Sequence, residues 1–225
     1  NKAKYFACHS LGEYSALSCA GYLNFAETLK LLRKRGDAMQ NAVPKGEGGM
    51  IAVLGSTVEK VENIIKQNLD DSSIQIANDN SEGQIVLSGK NDCIDRLIKT
   101  LKIENIKNIK LPVSAPFHCR LMKNATIKMK KEIEKINFQK GKNYLISNVT
   151  AKETSDTQEI KRLLIEQIEN RVRWRESVIN MISSGVDQFV EIGPGKVLTG
   201  LIKRIDKNVK INTINSDSDI KDLII

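Results

Sequence analysis

At 225 residues, 40% of them hydrophobic, the chain can build one sizeable core or a larger and a smaller lobe, and no apolar run approaches a membrane span. Its net charge of +8 would steer an acidic partner, but the lysines are interspersed with acids rather than gathered with aromatics, which excludes a nucleic-acid groove. Four cysteines without a CxxC pair and only two histidines exclude a metal cluster and fit free thiols in a reducing, cytoplasmic setting.

The opening Asn1-Lys2-Ala3-Lys4 has neither an initiator Met nor a signal-peptide profile and reads as a cut. Tyr5 to Cys8 is a short apolar run broken by His9-Ser10, after which Leu11 to Leu17 continues as a helix ending near Gly21: strand, sharp turn, helix. Asn24 followed by Glu27 resembles a capping box, and Phe25, Leu29, Leu32 and Met39 mark one face of the helix it opens. From Gly46 the units shorten. Met50 to Leu54 reads as a strand, Val58 to Leu69 as a helix with Val61, Ile64, Ile65 and Leu69 inward, and Ile74 to Ala77 and Gln84 to Ser88 as strands. Asp92 to Leu101 reads as a helix and Ile106 to Leu111 as a strand, completing a βαββαβ order of the ferredoxin-like kind.

Beyond it, Leu121 to Ile136 is helical, Tyr144 to Val149 a strand, Ile160 to Ile168 and Glu176 to Ile182 helical, and Val186 to Ile192 a strand. Gly193-Pro194-Gly195 turns the chain into a helix near Val197 to Ile205, and Val209 to Ile214 closes with a strand. Strands alternating with helices imply an α/β fold with a mainly parallel sheet flanked by helices. The expected division is a discontinuous catalytic core, residues 1–45 and 114–225, with a ferredoxin-like subdomain inserted at 46–113.

A serine between a buried strand and a helix sits on a tight turn that exposes its hydroxyl beside backbone N–H groups. Ser10 is so placed, although Cys8-His9-Ser10-Leu11-Gly12 has cysteine where the G-x-S-x-G elbow begins with glycine. A plain N-cap role for Ser10 competes with the nucleophile on this motif alone. A serine nucleophile needs a base, most often histidine. His9 adjoins Ser10 on a path that turns its side chain away from the hydroxyl, whereas His118 lies in the rigid loop Ser114-Ala115-Pro116-Phe117-His118-Cys119. Arg35 falls within the apolar stripe of its helix, where a guanidinium either clamps a carboxylate or snorkels at the stripe's edge.

Taken together these residues resemble the bacterial malonyl-CoA:acyl carrier protein transacylases. The similarity is carried by His9 to Leu17, Arg35-Gly36 with Met39-Gln40, Gln84 to Gly89, Pro112 to Met122, Val172-Arg173-Trp174 and Glu191 to Leu198. It implies a hydrolase-like core with a small inserted lobe. It also implies a malonyl transfer from coenzyme A to the phosphopantetheine thiol of acyl carrier protein, in fatty acid biosynthesis, through a malonyl-serine ester.

By that resemblance Ser10 is the nucleophile, His118 its base, and the main-chain carbonyl of Ser184 the group that orients His118. Arg35 holds the malonyl carboxylate and Leu11 N–H serves the oxyanion. Phe117 leaves little room for a 2-methyl branch, and His9 and Asn80 belong to the substrate pocket, although Asn80 also suits a simple turn. The family's first strand and its Gln-containing glycine-rich loop are not among these residues. Cys8 puts a side chain beside the elbow. No bound cofactor is implied, the coenzyme A thioester being the substrate, and the chain is expected to act as a monomer with malonyl-CoA and acyl carrier protein as its partners. A serine hydrolase or thioesterase on the same elbow, and a fragment that keeps the fold without turnover, are the competing readings. Arg35 argues against the first, since a neutral acyl chain offers nothing to pair with its charge.

Overall fold

Apolar spacing and end signals account for the first elements. In the computed structural model, which describes residues 3–68 and 73–221, Tyr5–Phe6 form strand β1 and Gly12–Cys19 helix α1. Helix α2 (Phe25–Gln40) opens on Asn24, whose side chain accepts from Glu27 N at 2.8 Å and so satisfies one free donor of the first turn. Its buried stripe is Thr28, Leu31, Arg35, Ala38 and Met39. Phe25 and Leu29, expected to face inward, are exposed, so the helix is rotated from the expected phase in the sense that carries Arg35 into the interior.

Next come β2 (Gly48–Leu54), α3 (Val58–Asn68), β3 (Ile74–Ser81), β4 (Gln84–Lys90), α4 (Asn91–Ile103) and β5 (Lys107–Lys110). Leu69, expected on the inner face of α3, lies outside the described residues. The four strands form one antiparallel sheet in the order β3-β4-β2-β5. One face is covered by Val61, Ile64 and Ile65 of α3 and Ile94, Leu97 and Leu101 of α4, packed on Ile51, Val53, Ile85 and Leu87. The other face carries Met50, Ala52, Ala77 and Val86, with Phe117 and Leu111 against them.

Strand β3 runs four residues past its expected end at Ala77, through the buried polar run Asn78-Asp79-Asn80-Ser81. Asn and Asp are poor strand formers, which hid this extension. Its pairing with β4 shifts register at Ala77 and at Asn80, and bulges of this kind re-aim side chains. Asn80 therefore belongs to a strand, and the turn follows it at Glu82-Gly83. The same stretch is stitched to the rest of the chain: Asp79 N donates to Val172 O at 3.0 Å, Val172 N donates to Ala77 O at 2.8 Å, and Arg175 grips the Asp79 carboxylate with two bonds of 3.0 Å from Nε.

A 3-10 turn at Arg120–Met122 leads into α5 (Lys123–Glu134), then β6 (Tyr144–Ile146), β7 (Glu153–Thr154), α6 (Thr157–Gln167) and α7 (Trp174–Ser183). The chain ends with β8 (Gln188–Ile192), α8 (Val197–Ile205), β9 (Lys210–Ile214) and the short α9 (Asp217–Lys221). Strand β1 pairs parallel with β6, β6 antiparallel with β7, and β8 parallel with β9. Among the described residues the expected mainly parallel sheet is thus two separate small sheets, each with one parallel pair. Helices α1, α2, α5 and α6 close one core around Tyr14, Leu17, Leu31, Met122, Met129 and Leu164. Trp174, Val178 and Met181 of α7 and Leu201 and Ile202 of α8 close another.

Candidate active site

The turn between β1 and α1 holds Ser10 at φ 53°, a left-handed conformation that costs a serine roughly 1 kcal/mol or more and persists only if its surroundings hold it. Asn148, just past the C-terminal end of β6, does much of the holding. Its side chain accepts from Ser10 N at 2.7 Å and donates to Cys8 O at 2.8 Å, clamping the backbone on both sides of His9. Helix α1 then begins with Gly12 N and Glu13 N donating to the carbonyls of His9 and Ser10 at 3.0 and 3.1 Å. A Cβ built on Gly12 would stand 2.1 Å from Cys8 Sγ, so the cysteine side chain occupies the space that a glycine there leaves open.

His118 comes to this turn from the loop after β5, itself at φ 59°. Its Nε2 is 2.7 Å from Ser10 Oγ, and its Nδ1 is 2.8 Å from the main-chain carbonyl of Gln167 at the end of α6. A carbonyl only accepts, so Nδ1 carries the proton and Nε2 is left to accept from the serine. The residue expected to orient the ring was Ser184. It lies instead on the exposed C-terminal end of α7, where its own N–H bonds Asn180 O, and Gln167 takes that place. Burial, reinforced by the nearby Arg35 charge, holds the imidazole well below its ordinary range, at about 3, so the ring is neutral near pH 7.

Arg35 is 6% exposed and points from α2 at the same hydroxyl. Its Nη2 donates to Ser10 Oγ at 3.1 Å and to Gln167 Oε1 at 2.9 Å, while its Nε has no partner. The guanidinium also lies over the Tyr14 ring, 5.8 Å from its centroid. Behind it, fully buried Glu13 accepts from Gln167 Nε2 at 2.5 Å and from Asn148 N at 3.4 Å. Burial raises the Glu13 carboxyl to about 7 against the pull of these donors and of Arg35. Three residues that the motifs did not single out for a role, Glu13, Asn148 and Gln167, therefore form the polar bed of the site. A signal for Gln167 was present: it continues the stripe Ile160, Leu163, Leu164 at helical spacing, the same polar intrusion that drew attention to Arg35.

His9 is turned away from the hydroxyl. Its Nε2 is 2.8 Å from Asn80 Oδ1 and its ring is 6.2 Å from that of Trp174, so the bulge in β3 brings a side chain of the small sheet onto the elbow. Phe117 is half-buried between the α1/α2 core and the small sheet. Leu11 N–H finds no acceptor within the chain among the described residues and follows directly on Ser10. A hydroxyl with a neutral base on one side, a guanidinium on the other and an open backbone N–H beside it can take up an acyl group whose far end is anionic.

A family profile described as an acyl transferase domain matches residues 2–220. The malonyl CoA-acyl carrier protein transacylase of Salmonella typhimurium is 40% identical over 210 residues, 93% of this chain and 68% of the relative. The crystal structure of acyl-carrier-protein-S-malonyltransferase from Bartonella henselae superposes with a TM-score of 0.95 at 42% identity, covering 98% of this chain and 71% of that one. A malonyl-transacylase solved in complex with its type II PKS acyl-carrier protein gives a TM-score of 0.94 at 36% identity, over 98% of this chain and 72% of that one.

Proposed function

The chain belongs to the malonyl-CoA:acyl carrier protein transacylases, within the acyl transferase domain family, and from that membership we infer how its residues move a malonyl group in fatty acid synthesis. The acceptor is the phosphopantetheine thiol of acyl carrier protein. Ser10 Oγ attacks the thioester carbonyl of malonyl-CoA and gives its proton to His118 Nε2. As the tetrahedral intermediate collapses, the C–S bond breaks and coenzyme A leaves as the thiol with that proton, so a malonyl ester remains on Ser10. The carrier thiol then loses its proton to the same nitrogen and attacks the ester, and Ser10 regains its hydrogen. The Gln167 carbonyl keeps the ring in the tautomer both half-reactions need.

Leu11 N–H is the oxyanion donor that this chain supplies at the elbow, and Arg35 trades its bond to Ser10 Oγ for the malonyl carboxylate. Phe117 walls the acyl site against a 2-methyl branch, and the His9–Asn80 pair forms the side contributed by the small sheet. We read residues 46–113 as a ferredoxin-like subdomain, supported by the β3-β4-β2-β5 order with both helices on one face. The rest is read as a hydrolase-like core carrying the nucleophile at a strand-to-helix turn. The free thiols suit a cytoplasmic enzyme, and the net charge of +8 suits an acidic carrier protein.

The observation that carries this reading is that Ser10 Oγ lies within hydrogen-bond reach of both His118 and Arg35. It is tested by mixing the chain with malonyl-CoA and holo acyl carrier protein and following both proteins by mass spectrometry. Malonyl should appear on Ser10 and then on the carrier, and neither adduct should form with Ser10→Ala. Release of free malonate with the carrier unmodified would make the chain a hydrolase. Undiminished transfer by Ser10→Ala would remove the serine from the mechanism.

A further inference from the structure

The side chain of Gln167 is fully buried between the Arg35 guanidinium and the Glu13 carboxyl. Its amide oxygen accepts from Arg35 Nη2 at 2.9 Å, and its NH2 group donates to Glu13 Oε2 at 2.5 Å and to Ser10 O at 2.9 Å. Turned over by 180°, the amide would set N–H against a guanidinium and oxygen against a carboxylate and a carbonyl. Arg35, which only donates, and the Ser10 carbonyl, which only accepts, therefore permit one orientation. The amide also stands where a carboxylate would have made an internal ion pair. Among the described residues Arg35 has no carboxylate within salt-bridge distance, and its Nε is buried without an acceptor. An amide acceptor orients a guanidinium without neutralising it, whereas a buried carboxylate in contact would satisfy the charge and compete with any acid arriving from outside.

We infer that Gln167 and Glu13 act as a pair of positioning residues that aim the Arg35 guanidinium while leaving its charge available, and so set the preference for acyl groups that end in a carboxylate. Glu13 holds the far end of the amide, Gln167 transmits that orientation to Arg35, and the same amide ties Ser10 O into the arrangement. This role belongs to the side chain of Gln167 and is separate from its main-chain contact with His118. It rests on the transacylase reading above.

The test uses the full chain with Gln167→Glu, Gln167→Met and Glu13→Gln, each of which keeps the carbonyl that faces His118. Acylation of Ser10 is measured as kcat/KM with malonyl-CoA and with acetyl-CoA, alongside the thermal midpoint of each variant. Gln167→Glu gives Arg35 an internal carboxylate, so the malonyl-to-acetyl ratio should fall at least about tenfold, the size expected for losing a charge-assisted hydrogen bond. Gln167→Met removes the acceptor and should lower the ratio similarly. Glu13→Gln, close to isosteric, should lower it severalfold and serves where the other two fold poorly. Parallel losses with both thioesters, or an unchanged ratio beside a lower thermal midpoint, would reduce the pair to a structural role and overturn the inference. If the unaltered chain itself used the two thioesters equally, the functional reading would fail and take the pair with it.

Discussion

The main-chain carbonyl of Gln167 stands 2.8 Å from Nδ1 of His118, so the group that orients the imidazole is a neutral dipole from the end of a helix. Among the described residues no carboxylate bonds the ring, and burial together with the Arg35 charge keeps it neutral far into the acid range. The pH profile of kcat/KM for malonyl-CoA should therefore show no acid limb from His118 between pH 5 and 8. A limb centred near 6.5, the ordinary imidazole value, that disappears when the substrate is varied would leave this picture intact. The same limb with every thioester would mean that the ring is solvated and ionises normally.

Stability should respond to two buried groups with opposite signs. His118 titrates lower in the folded chain than in the unfolded one, so its contribution is present above about pH 6.5 and is lost as pH falls toward 3. Glu13 titrates higher when folded, about 7 against an ordinary 4.5, so its contribution is full below 4.5 and is lost as pH rises through 7. It faces Gln167 and Asn148 directly, with Arg35 beyond the amide. Relative to the parent, Glu13→Gln should become progressively more stable as pH is raised from 4.5 to 8. Urea titrations at pH 5 and pH 8 would measure it, and an unchanged difference would place Glu13 in a polar rather than a desolvated setting.

Cys8 and Gly12 should behave as a coupled pair. Gly12→Ala drives a methyl into Cys8 Sγ and should destabilise by about 1–3 kcal/mol while displacing the elbow. Cys8→Gly in the same chain opens the space and should recover most of that loss. A double-mutant cycle on thermal unfolding and Ser10 acylation measures the coupling. Additive effects would show that the two side chains do not compete.

The Asp79–Arg175 pair fastens the small sheet to α7, and its halves differ in exposure: the carboxylate is 1% exposed and the guanidinium 31%. Removing the guanidinium strands a buried charge, whereas removing the carboxylate leaves a cation that water can reach. Arg175→Ala should therefore cost about 3–5 kcal/mol and Asp79→Ala distinctly less. Because Asn80 follows Asp79, both should also raise KM for malonyl-CoA more than they lower kcat. Denaturant unfolding and steady-state kinetics would check the order, and equal costs would contradict it.

Short-range order along the chain was enough to locate Ser10, since a strand, a sharp turn and a helix follow from apolar spacing and end signals within about twenty residues of sequence. The same spacing exposed Arg35 as a charge in an apolar stripe, and two histidines in the whole chain left His118 the base candidate. Resemblance could name a carbonyl as the group orienting His118, but the position assigned to it was Ser184, and the coordinates put Gln167 there. That choice is invisible in one dimension, because every residue carries the same carbonyl and only the packing of α6 on α5, with Gln167 bonded to Arg35 and Glu13, selects which one faces the imidazole. Asn148 and Glu13 were hidden for a related reason: their value lies in partners more than 130 positions away, brought together when β1 pairs with β6. Types of side chain can be read along a sequence, whereas hydrogen-bond partners across a core depend on how its elements are stacked.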